Sequence, residues 1–97
     1  MNIVKKIGFH QKAYVCIHVF ENAKPVLLVS RADADWCFLC GDEHPEDAAY
    51  YKVVGIGHVL EQDSSLEALL DLAPEEEAER IAPGSPWIRT DLSKLSQ

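Results

Sequence analysis

Cys37 and Cys40, within the stretch Trp36-Cys37-Phe38-Leu39-Cys40-Gly41-Asp42-Glu43, are the residues whose type and spacing most readily suggest chemistry. W-C-x-x-C is the form of a thiol–disulfide active site, in which the first thiol sits at a helix N-terminus whose partial positive charge favours the thiolate. Here Gly41 follows at once, Pro45 breaks any continuation, and the intervening residues are acidic. Neighbouring carboxylates raise a thiol pKa rather than lower it, and no βαβ pattern surrounds the motif. As C-x-x-C-G the same residues form half of a zinc knuckle, with Cys16, His18 and His44 as the remaining ligand candidates. C-x-H is not a common ligand spacing. On an extended strand Cys37 and Cys40 also point to opposite faces, while Phe38 and Leu39 favour a strand that continues. The third reading is the one adopted: an apolar strand running into a sharp acidic turn, with the cysteines as small core residues. The expectation is therefore no cofactor and no bound metal. The alternative is a small zinc-binding or thiol-redox protein using Cys37 and Cys40. His10, His18 and His58 read as ordinary core or surface histidines.

No G-x-S-x-G, H-E-x-x-H or phosphate-cradling glycine loop is present. Asp42 and Glu43 are adjacent carboxylates in a wet turn, without the burial that general-acid work requires, so the chain reads as no enzyme. Its charge is more informative. The formal net charge is −7, unevenly spread. Lys5, Lys6, Lys12 and Lys24 face a single Glu21 in residues 1–24. From 53 to 79 there is no Lys or Arg, while Glu61, Asp63, Glu67, Asp71, Glu75, Glu76, Glu77 and Glu79 all fall there. Such a field repels nucleic acid and anionic membranes and attracts a basic protein. The candidate partner-binding carboxylates are Asp42, Glu43, Glu46 and Asp47 in the 41–49 loop, with Glu61, Asp63 and Glu67 beyond it.

These residues must be positioned by one small domain. Ninety-seven residues bury a single core, and 47% hydrophobic with 26% charged residues are globular values. No apolar run approaches the roughly 18 residues of a membrane span, and the N-terminal residues lack the form of a signal peptide. A cytoplasmic location follows as the expectation, and three cysteines, an odd number, read as reduced thiols. Residues 13–20 alternate with period two and predict a strand. Glu21-Asn22-Ala23-Lys24-Pro25 is a turn, 26–30 a second, central strand, and 36–40 a third that places Trp36, Phe38 and Cys40 on the core side. A further strand spans 50–56. Helical spacing then takes over at Val59, Leu60, Leu66, Leu69 and Leu70, with an N-cap in Asp63-Ser64-Ser65, a capping box from Ser64 to Glu67, and a stop at Pro74. The acidic run 75–79 fits either a helical turn or a strand. Trp87-Ile88-Arg89 predicts a last short strand, and 91–97 a frayed tail. The sum is α+β: a mostly antiparallel meander with one or two short helices on one face. Its structural residues are Trp36, Phe38, Gly41, Leu66 and Leu70.

The order of features resembles a family of small bacterial domains, some assigned as immunity proteins of polymorphic toxin systems, the thirty-third class in that series. The resemblance rests on Trp36, Phe38 and Gly41-Asp42-Glu43; on Tyr51-Lys52-Val53; on Asp63 with Leu66, Leu69 and Leu70; on Asp71-Leu72-Ala73-Pro74; and on Glu79-Arg80. It covers about residues 26 to 89. Glu75-Glu76-Glu77 departs from the glycine that often follows the proline in that family, and cysteines are not expected at 37 and 40. The resemblance implies an inhibitor that neutralises a basic toxin domain, with no enzymatic activity of its own.

Overall fold

The structure, a computed structural model, describes residues 11–42 and 48–95. Expectations placed on His10, Glu43, His44, Glu46 and Asp47 lie outside the described residues. The strands are β1 (Lys12–Cys16), β2 (Leu28–Ser30), β3 (Cys37–Leu39), β4 (Tyr51–Gly55), β5 (Glu76–Glu79) and β6 (Ile88–Asp91). Helical turns are α1 (Ile17–Phe20), α2 (Ile56–Gln62) and α3 (Leu92–Leu95), with 3₁₀ segments at Ala32–Ala34, Ala48–Tyr50 and Ser64–Leu69. The strands make one six-stranded sheet in the order β4-β1-β3-β2-β5-β6.

The α+β class and the predominance of antiparallel pairing are as the sequence predicts. The simple meander is not formed, because β1 and β3 pair in parallel, Tyr14 against Cys37 and Val15 against Phe38. The cause is local. The strand predicted over 13–20 stops at Cys16, and the backbone coils at once: Glu21 N–H donates to Ile17 O at 2.9 Å and Ala23 N–H to His18 O at 2.8 Å. Asn22 takes a left-handed conformation, φ 57°, as the turn chemistry of Asn allows. The chain thus leaves the sheet before it can fold back along β1, and β2 pairs instead with β3 and β5. The acidic run settles as strand β5, and residues 91–95, expected to begin a frayed tail, close β6 and form α3.

Alternation then sets the core. The registers align Val15, Phe38, Val29 and Ala78 on one face of four adjacent strands, and each is at most 1% exposed. Ile56, Val59, Leu60, Leu66, Leu69 and Leu70 belong to the same core, so the apolar face of α2 and the 3₁₀ segment lies on that side. The N-cap of the 3₁₀ segment is Asp63, which accepts from Ser65 N–H at 3.0 Å. The capping box expected from Ser64 to Glu67 is not formed, since Asp63 occupies the cap position one residue earlier. Trp36, Phe38 and Cys40 are buried as expected. Gly41 is exposed rather than part of the core. Its φ of 89° is a conformation that a side chain resists, so it shapes the turn.

Candidate functional site

Parallel neighbours end at the same end of a sheet, and that places the last residue of β1 beside the residue that follows β3. Cys16 and Cys40 meet there. Both are buried, and the turn of α1 brings His18 back over them. The donor atoms of Cys16, His18 and Cys40 all lie within 4.8 Å of one another, with Cys40 Sγ 3.6 Å from His18 Nδ1. On a continuing strand His18 would have stood about 6.6 Å along the chain from Cys16. Burial pushes the Cys40 thiol above its ordinary value, and the nearby Cys16 adds to the rise, while the backbone amide of Asp42 opposes it. Lys24 stands beside the pair. Its ammonium is held charged chiefly by its ion pair with Asp42, and also by the two sulfurs.

Cys37 is elsewhere. It stands in register with Ser30 and with Tyr14, two residues back along β1 from Cys16, and burial followed by the Asp35 charge raises its pKa. None of the three cysteines is in a disulfide. It is Cys40 that stands with Cys16 and His18, and Cys37 is not among those converging donors. The sequence offered the same three residues among the metal alternatives, but the parallel pairing that unites them carries no local signal.

Above the same strand end opens a cleft of about 490 Å³. Val15, Val19, Val26, Val54 and Val59 form an apolar floor, and Phe20, Lys24, His58 and Gln62 stand along its walls. Phe20 is 49% exposed although aromatic. On α2, the exposed Glu61 adjoins Gln62 in sequence and lies about one helical turn from His58.

The candidate carboxylates divide into two groups. Asp42 is paired with Lys24, and Asp63 with the buried Arg80, Nη2 to Oδ2 at 2.9 Å. Asp63 is thus occupied inside the molecule. Burial alone would raise its pKa, but hydrogen bonds from Ser65 and Arg80 outweigh that and hold it below the ordinary value of 3.8. Glu61 and Glu67 are exposed and make no ion pair among the described residues. They remain the carboxylates open to a partner. Sequence reasoning missed Arg80 as more than half of a Glu-Arg pair. Its side chain donates to Val26 O at 3.1 and 2.9 Å and to Ser65 Oγ at 3.2 Å, and its guanidinium lies 4.4 Å from the Trp87 ring centroid.

Comparison with known proteins returns no matching family, no similar curated protein and no similar solved structure. No helix among the described residues is long and apolar enough to cross a membrane.

Proposed function

We propose that this domain is a non-enzymatic binder of a basic protein, which it engages with an apolar anchor seated in the valine-floored cleft and basic residues set against Glu61 and Glu67. The resemblance at Trp36, Phe38 and Gly41-Asp42-Glu43 gives the partner a chemical identity, a basic toxin domain that the chain neutralises. The observation that carries the reading is an open apolar cleft whose wall residue Gln62 adjoins the exposed Glu61 in sequence, a carboxylate in no ion pair among the described residues. Interfaces place most of their affinity in a few desolvated anchors and use surrounding charge for encounter and register.

A photo-reactive residue at Gln62, on the cleft wall, should capture the partner in cells that produce the protein. The same residue at Glu79 should not, because Glu79 lies on the other face of β5 from the buried Ala78. Capture of a toxin encoded beside this gene at Gln62 alone supports the proposal, and equal capture at both positions contradicts it. Phe20 gives the quantitative test. Being half exposed, Phe20→Ala should change stability by less than about 1 kcal/mol. An exposed aromatic that becomes buried on binding is a typical anchor, so affinity for the captured partner should fall roughly 10- to 100-fold. An unchanged Kd by calorimetry removes the cleft from the interface.

A further inference from the structure

We infer that Cys16, His18 and Cys40 form a zinc site, with two thiolates and one imidazole as protein ligands and a fourth position left to an exogenous donor such as water. The separations support this. Zn–S bonds of about 2.3 Å and Zn–N bonds of about 2.05 Å at a tetrahedral angle place S and N about 3.6 Å apart. Cys40 Sγ and His18 Nδ1 are 3.6 Å apart, and no pair of the three donor atoms exceeds 4.8 Å. The longest donor separation therefore has to close by no more than about 1 Å to hold an ion.

The fold holds them in place without help from a long loop. Cys16 ends β1, Cys40 follows β3, and the two strands are locked in parallel register; His18 is carried by the turn of α1 that begins at the next residue. Charge favours a divalent ion. Zinc displaces one proton from each thiol, so Zn²⁺ and two thiolates give a neutral centre, with two protons released to solvent. A neutral centre suits cysteines that are 0% and 3% exposed, because unpaired charge is costly to bury. Thiolate and imidazole together are a donor set that selects zinc over magnesium or calcium. Cys37 takes no part: it pairs with Tyr14, two residues back along β1 from Cys16, and is not among the three donors that converge. The inference is independent of the partner proposed above.

The test uses the full chain, reduced and metal-free, titrated with Zn²⁺ and separately with Co²⁺. The expected result is one zinc retained per chain after dialysis, about two protons released per zinc, and a thiolate-to-cobalt charge-transfer band that saturates at one equivalent. Cys37→Ser should keep the full band, and His18→Gln should weaken zinc binding at least tenfold while leaving the circular dichroism spectrum unchanged. Cys40→Ser should abolish the band. Absence of retained zinc and of proton release in the wild-type chain overturns the inference. So does a charge-transfer band that requires Cys37, and retention of Cu⁺ with no retention of zinc overturns the identity of the ion. The wild-type titration decides the matter even where a buried substitution unfolds the chain.

Discussion

Trp36→Ala should destabilise the domain by about 3–5 kcal/mol, enough to unfold most molecules of so small a protein at 37 °C. Trp36 is buried beside β3, its ring stacked on Phe38 at 6.1 Å between centroids and 8° between planes. The Arg31 guanidinium also lies over the indole, 4.3 Å from the ring centroid. That guanidinium in turn donates to Leu72 O at 3.0 Å and Ala34 O at 2.8 Å, so the indole links the sheet to the connection after the 3₁₀ segment. Truncation removes apolar burial, opens a cavity that a packed sheet cannot fully close, and uncovers the arginine. Trp36→Phe should recover more than half of the loss. Thermal denaturation checks both variants, and a Trp36→Ala midpoint equal to wild type contradicts the account of the core.

Arg80→Ala should cost about 3–5 kcal/mol, because it breaks a buried, hydrogen-bonded charge network rather than a surface pair. The side chain of Arg80 is 2% exposed and that of Asp63 32%, so the guanidinium sits in protein while its carboxylate partner touches water. Its contacts tie three segments together: Val26 before β2, Asp63 and Ser65 at the cap of the 3₁₀ segment, and Trp87 before β6. Asp63→Ala leaves the arginine buried without its counter-ion and should cost about 3 kcal/mol. The double variant should lose less than the sum of the two single losses, since both remove the same pair. The pair also sets a pH dependence. The folded pKa of Asp63 lies below its unfolded value, so between the two the unfolded state binds more protons and stability rises with pH. Its contribution is present in full above the ordinary value of 3.8 and is lost as pH falls through the folded value. Denaturant midpoints measured from pH 5 down to pH 2 should fall more steeply for the wild type than for Asp63→Asn. Equal slopes contradict the pairing.

What was legible in the sequence follows from which interactions are local. Alternation marked Trp36, Phe38 and Cys40 for burial, and all three are buried; the spacing of Leu66, Leu69 and Leu70 marked a helical segment with one apolar face, because both patterns are read from neighbours a few residues apart. The partner of each strand is not written that way. Residues 13–20 alternate past the point where β1 ends, and the coil at Ile17 depends on hydrogen bonds from Glu21 and Ala23 that the alternation obscures. Once β1 stops there, β3 can lie parallel to it, and that pairing creates the Cys16–His18–Cys40 cluster. For the same reason Asp63, grouped by charge with the partner-binding carboxylates, is engaged by Arg80, the residue that follows a strand the sequence left undecided between helix and sheet. Charge counting finds an acidic segment, but only the fold separates its internally paired carboxylates from those facing solvent. The cleft was not legible at all, as its floor is assembled from β1, α1, the segment before β2, β4 and α2.

The measurement that tests the binding account most directly is the association rate with the captured partner, taken by stopped flow from 50 to 500 mM salt for the wild type and for Glu61→Lys/Glu67→Lys. The Debye length shrinks from roughly 14 Å to roughly 4 Å over that range, so a rate set by attraction between an acidic surface and a basic partner should fall at least about tenfold. The double reversal should start slower at 50 mM and lose most of the salt dependence, with its melting temperature unchanged because both positions are exposed. A wild-type rate that is flat across the range and equal to that of the double reversal contradicts the acidic interface.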